Sequence, residues 1–182
     1  MNSLMARRRA LMASQSASLP TIYLYDNGVI SDFAGSLNND GYSKNPTYNK
    51  ATQESTYLRF TCTASSSAYA VRGGSAFTFT NVLPQNCVGR TLHARYKHKN
   101  TSSSADDHFH IVVAPTVVTA NPFDVAYPDA IETVAILAQE EDFVEGELAL
   151  QITKTGYVSL CAYKGNSGGG IYDTRVTEVW IE

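Results

Sequence analysis

Tyr23-Leu-Tyr-Asp-Asn-Gly-Val-Ile-Ser-Asp-Phe-Ala-Gly35 reads as a β-hairpin: an aromatic strand start, an Asp26-Asn27-Gly28 turn, and a second alternating run through Val29, Ser31 and Phe33. Asn-Gly between two alternating runs is a strong turn signal, because both central residues tolerate positive φ. The counterpart of this stretch is Tyr172-Asp-Thr-Arg-Val-Thr-Glu-Val-Trp-Ile-Glu182, which alternates to its last residue. First and last strands of β-sandwiches often lie side by side. Residues 22–25 are therefore expected to pair with residues 177–181 and close the sandwich, burying Val179 and Ile181.

Working inward from these ends, Tyr57-Leu-Arg-Phe-Thr-Cys-Thr63 alternates and places Leu58, Phe60 and Cys62 on one face. Residues 68–72 and 76–82 flank Gly73-Gly74 and read as a hairpin, with Phe77 and Phe79 sharing a face. Residues 91–99 form a strand with Leu92, Ala94 and Tyr96 toward the core. Residues 108–119 are the longest apolar run, broken by Pro115, which suggests a bulge or an edge. Residues 131–139 fit a helix or a buried strand, and strand is the choice made. Residues 147–153 and 157–163 flank Lys154-Thr155-Gly156 as a second hairpin. Residues 36–56 and the glycine-rich stretch 165–170 read as loops. The count, roughly eight to ten strands with regular turn signals, is that of an all-β protein.

Composition agrees. Only 17% of residues are charged, and a chain of 182 residues suits one domain with a short extension. Fourteen basic and seventeen acidic side chains give −3. Residues 1–20 hold Arg7, Arg8 and Arg9 and no acid, which leaves eleven basic against seventeen acidic residues, or −6, on the remainder. A mildly acidic body with a basic arm implies a tether and no nucleic-acid-binding face. The apolar run Ala10-Leu-Met-Ala13 falls short of the roughly 7–15 residues of a signal-peptide core. Neither a signal peptide nor membrane insertion is expected. Cys62, Cys87 and Cys161 cannot all pair and read as reduced, with Cys62 and Cys161 as apolar strand residues.

The expected organisation is thus a basic amphipathic arm with a Ser-rich hinge over 1–19 and a sandwich domain over 20–182. On a short helix, Leu4, Met5, Leu11 and Met12 form an apolar stripe around Arg7, Arg8 and Arg9. A helix of that length is marginal alone in water. A neighbouring chain is expected to order it, so these seven residues are the candidate docking surface.

Candidate chemistry is sparse. Gly165-Asn-Ser-Gly-Gly169 resembles the nucleophile motif of chymotrypsin-like proteases, but no histidine has the matching context and too little chain follows. His108 and His110 share a strand face without a downstream glutamate, and read as two histidines near solvent at a strand start. The acidic run Glu140-Glu-Asp142 with Glu145 and Glu147 reads as a solvated turn before a strand; nothing in the sequence sets a glycosidase spacing. Asp26, Asn27 and Asp32 are of the right type for calcium, yet equally serve as turn formers. No cofactor and no enzymatic activity are expected. Among the eleven tyrosines, Tyr42, Tyr48 and Tyr127 stand in polar loops where a ring can stack on a sugar, and they are the candidate glycan contacts.

Met5-Ala-Arg-Arg-Arg-Ala-Leu-Met-Ala13 resembles the basic opening of small structural proteins from phages and prophages of Gram-positive gut bacteria. Tyr23-Leu-Tyr-Asp-Asn-Gly28 resembles the start of tail-associated β-sandwich modules in the same genomes, and Ile171 to Glu182 is similar to their closing strand. Where those modules have Gly-Gly-Trp, this chain has Phe33-Ala34-Gly35. The resemblance implies an antiparallel jelly-roll sandwich, similar to carbohydrate-binding modules, with a short N-terminal helical arm. It further implies a virion accessory protein of tail, baseplate or fibre, assembled in the host cytoplasm and present as a homo-oligomer or in many copies. Its expected partners are other virion proteins through the arm and a host surface glycan. The alternatives are a capsid decoration or head-fibre protein and, more remotely, a sandwich-fold hydrolase.

Overall fold

The last strand of the chain is the centre of its larger sheet. In a computed structural model, which describes residues 19–38, 49–62, 73–101, 107–118, 129–164 and 171–182, twelve strands form two sheets of seven and five. The larger sheet holds β1 (Ile22–Asp26), β2 (Val29–Ile30), β4 (Asn49–Gln53), β5 (Leu58–Cys62), β7 (Thr91–Asn100), β10 (Glu140–Gln151) and β12 (Tyr172–Ile181). The smaller runs β3 (Leu37–Asn38), β6 (Gly73–Val82), β11 (Tyr157–Lys164), β8 (Asp107–Ala114) and β9 (Ile131–Ile136). Every pairing is antiparallel. This is the all-β antiparallel sandwich that the alternating runs predict.

β12 pairs along its length with β7, and on its other side with β5 and then β1. The expected closure holds: Ile22 lies opposite Ile181 and Tyr25 opposite Val179. Asn27 (φ 44) and Gly28 (φ 101) form the β1–β2 turn, and the second run is the short pair Val29–Ile30. A Cβ on Gly28 would stand 2.0 Å from the Ser55 carbonyl oxygen, so glycine is required by space as well as by φ.

The core lies between the sheets. Leu58, Phe60 and Cys62 share a buried face, as do Phe77 and Phe79, both as expected, and Phe60 packs edge-on against Phe77 with centroids 5.4 Å apart. Leu92, Ala94 and Tyr96 face inward from β7. Asn100 ties the two layers together at one end. Its Nδ2 donates to Asp107 Oδ2 (3.2 Å) and to the Leu137 carbonyl (2.8 Å), while Leu137 N donates to the Asp107 carbonyl (2.7 Å).

Several expectations fail. Residues 36–56 are not loop throughout, since Leu37–Asn38 and Asn49–Gln53 are strands. Gly73-Gly74 is no turn: both residues lie in β6, opposite Lys164 and Tyr163. Lys154-Thr155-Gly156 joins no hairpin, because β10 belongs to the larger sheet and β11 to the smaller. Leu148, Leu150, Val158 and Leu160 all belong to the core, and Gly156 serves close packing: a Cβ there would sit 2.6 Å from the Ala114 carbonyl oxygen. Pro115 follows β8 and bulges nothing. Residues 140–142 are no turn either; they begin the edge strand β10, whose register shifts between Glu140 and Val144. Residues 131–136 are strand, as chosen.

Candidate functional site

Alternation along four adjacent strands of the larger sheet sends one set of side chains outward. From β10 comes Phe143, from β7 Lys99, from β12 Asp173 and Arg175, and from β5 Arg59 and Thr61. They line a groove of about 270 Å3, completed by Cys62, Ile171 and Tyr172. The ladder registers explain the convergence: Asp173 lies opposite Thr61 on one side and Lys99 on the other, and Arg175 opposite Arg59 and Lys97.

Like charges directly across a ladder repel, and Arg59, Arg175 and Lys97 stand abreast. Asp173 offsets the first two. It accepts from Arg59 Nε (3.2 Å) and Nη2 (2.8 Å), and from Arg175 Nε (3.2 Å) and Nη2 (3.0 Å). Lys97 pairs with Glu145 at 2.9 Å. Burial pushes the Asp173 carboxyl up, but the hydrogen bonds from Arg175 and Arg59 outweigh it and hold it below the usual carboxylate range. The same bond to Asp173 pushes the Arg59 guanidinium up. Arg175 is also held by rings. Its guanidinium carbon lies 4.1 Å from the Phe143 centroid and 5.0 Å from that of Tyr57, cation–π geometry on both.

Further along the same face, His93 stacks on Trp180 with centroids 4.8 Å apart and an 8° tilt, and Arg95 lies 5.0 Å from that indole. His93 Nδ1 is 2.9 Å from Glu147 Oε1, and its Nε2 is 3.4 Å from Glu182 Oε1. Arg95 donates to Glu178 at 2.8 Å. Glu145 and Glu147 are thereby tied into cross-strand ion pairs.

The candidate docking residues Leu4, Met5, Arg7, Arg8, Arg9, Leu11 and Met12 lie outside the described residues, as do Tyr42, Tyr48, Tyr127 and the stretch 165–170. Of the calcium candidates, Asp26 Oδ1 accepts from Asn27 Nδ2 at 2.8 Å within the turn. No group of three or more His, Cys, Asp or Glu side chains suited to a metal ion occurs among the described residues. His108 and His110 share the outward side of β8 with rings 6.1 Å apart. His110 departs from the solvent-near expectation: β9 and β11 flank it, it is fully buried, and its Nδ1 is 3.4 Å from Glu132. Burial holds its imidazole below the ordinary value, against the opposing pull of Glu132. Cys62, Cys87 and Cys161 are buried thiols, as the strand reading expects for two of them. Burial pushes Cys87 and Cys161 up, away from the nucleophilic thiolate.

The groove itself combines planar donors, rings and positive charge on a rigid sheet, and its one carboxylate is engaged by two guanidinium groups. Such groups are able to hydrogen-bond, to stack and to attract negative charge. Arg59 and Asp173 are 114 positions apart, so only the β5–β12 pairing brings them together. The signal present in the sequence is the outward parity of Arg59 and Thr61 and of Asp173 and Arg175 within their alternating runs.

No protein-family model and no curated protein matches the sequence. Solved structures match in fold. A variant of the family 29 carbohydrate-binding module CBM29-2 has 10% identity and a TM-score of 0.47, covering 90% of this chain and 92% of that one. A family 29 module from Piromyces equi has 11% identity and a TM-score of 0.47, covering 91% of each chain. The module BiXyn10A CBM1 has 15% identity and a TM-score of 0.45, covering 89% and 95%. The likeness is one of architecture: the chain is an antiparallel two-sheet sandwich similar to those of carbohydrate-binding modules.

Proposed function

We propose that this chain is a non-enzymatic binding module that takes a saccharide on the outward face of its larger sheet. A phage particle displays it through residues 1–19. The observation that carries the saccharide reading is the groove over Asp173. A sugar offers hydroxyl groups around its rim and an apolar ring face. The groove offers guanidinium N–H donors, the Thr61 hydroxyl and the exposed Phe143 ring within about 270 Å3. A shallow site of this size gives weak single contacts, which multiple copies on a particle convert into avidity. A basic, amphipathic arm supports display on a larger assembly, and the resemblance at both chain ends supports a tail, baseplate or fibre position.

The test is a glycan array probed with the monomer and with a multivalent display, repeated with Arg175→Ala. Multivalent binding to a defined saccharide set, lost in that variant, is the expected result. Binding unchanged by Arg175→Ala moves the site elsewhere, and turnover of any glycan overturns the non-enzymatic reading. Deleting residues 2–18 is expected to abolish incorporation into particles while leaving the melting temperature of the body unchanged. Normal incorporation of the truncated chain overturns the arm's role. Affinity for purified capsids with none for cells favours a head-decoration protein instead.

A further inference from the structure

The charge of the groove is at odds with the charge of the molecule. Arg59, Arg175 and Lys99 against Asp173 leave it two positive charges in excess, on a body whose residues 21–182 hold eleven basic and seventeen acidic side chains. Both guanidinium groups spend the same edge, Nε and Nη2, on the Asp173 carboxylate. Neither Nη1 has a hydrogen-bond partner among the described residues, and no carboxylate among them pairs with Lys99. One carboxylate shared by two arginines fixes their planes and leaves their charge half compensated. Phe143 and Tyr57 restrain Arg175 further. A fixed set of N–H donors around a small groove, with a lysine beside it, is the equipment that recognises a compact oxyanion.

We infer that the ligand is an acidic saccharide, whose carboxylate, sulfate or phosphate is bound by Arg59, Arg175 and Lys99 beside the Phe143 ring. This rests on the saccharide reading above and narrows it. One feature of the groove favours a sugar-borne anion over an acidic peptide. The oxyanion donors and an exposed ring share one small cleft, which suits an anion fixed to a compact ring.

The experiment uses the full chain on a multivalent support. The probes are oligogalacturonate, the same oligomer methyl-esterified, dextran sulfate, dextran and poly-glutamate. Oligogalacturonate or dextran sulfate is expected to bind, with the two acidic arms telling carboxylate from sulfate. Esterification or desulfation should weaken binding at least about tenfold, and added salt should weaken it progressively. Lys99→Gln is expected to lower affinity about tenfold at unchanged melting temperature, since Lys99 pairs with no carboxylate among the described residues. Lys154→Gln, which removes an exposed lysine paired to Asp129 outside the groove, should leave binding unaltered. Equal binding of the acid and ester forms, or of dextran sulfate and dextran, overturns the acidic class while the saccharide reading stands. Binding to poly-glutamate alone overturns both and assigns the groove to an acidic peptide. Absence of binding to every probe overturns both. Acidic binding that Lys99→Gln and Lys154→Gln weaken equally marks diffuse charge attraction and overturns the site.

Discussion

On the larger sheet the outward positions carry Arg59, Arg95, Lys97, Arg175 and Glu178, which join in ion pairs and reach water, with Asp173 buried between two guanidinium groups. On the smaller sheet the outward positions of β6, β8 and β11 include Ala76, Thr78, Val112, Ala114, Ser159 and Cys161, all buried. Polar groups there are satisfied locally, as where Thr78 Oγ1 and Ser159 Oγ share a hydrogen bond of 2.8 Å. Both faces obey the same alternation, so the strands alone do not distinguish them. Their chemistry does. A face of small side chains with satisfied hydroxyls excludes water and offers a ligand nothing. A face of planar charged groups keeps donors in reach of solvent.

The comparison is most sharply broken by placing an acid on each face. Val112→Asp puts a carboxylate on the buried face and is expected to destabilise by about 3–5 kcal/mol. Ala149→Asp, on the exposed outward side of β10, is expected to change stability by less than about 0.5 kcal/mol. Urea unfolding followed by fluorescence of the single tryptophan, Trp180, reads both. Equal midpoints for the two variants would erase the distinction between the faces.

Asp173→Asn tests the ion network of the open face. Two guanidinium groups lose their shared anion, and because both reach solvent the cost is at the low end, about 1 kcal/mol. Asp173 has a depressed folded pKa, so its contribution is complete above its unfolded value near 3.8 and is lost as pH falls through the folded value. The Asn variant should therefore show a flatter loss of stability below pH 4 than the parent; parallel curves would remove Asp173 as the keystone.

The smallest effect belongs to histidine. Burial lowers the folded pKa of His98, facing inward from β7, and of His110 on the buried outer face. Each is neutral when folded, so the stability it permits is complete above its unfolded value near 6.5 and declines as pH falls through the folded value. His110→Gln is expected to flatten that decline in thermal melts between pH 7 and 5, whereas a change at the exposed face should not. An unchanged slope would mean that His110 carries no proton-linked stability.

What the sequence made legible was local. The opening hairpin, the Leu58-Phe60-Cys62 parity and the neighbourhood of β1 and β12 follow from alternation and from one Asn-Gly turn. Gly156 misled because it serves packing instead of turning: it lets a sheet-to-sheet crossing run against Ala114. The groove was not legible. Parity says which way Arg59 and Asp173 point, but register between distant strands is set by the packed core, and no spacing in the chain encodes it. Tyrosines in loops drew the eye because rings are visible in a sequence, whereas a salt-bridged sheet face appears only once strands are paired.

The position of β12 bears on how the molecule is made. A ribosome delivers β1, β5 and β7 long before residues 172–181, and each of the three keeps one edge without its final neighbour until that strand emerges. Until then their open edges are available for wrong pairings, the state in which β-rich chains aggregate. Pairing across such sequence separation makes folding slow compared with that of helical domains. The pairs β1–β2, β4–β5 and β7–β10 thus have no strand to join them into one sheet, and the groove has no floor, until residues 172–181 have been made.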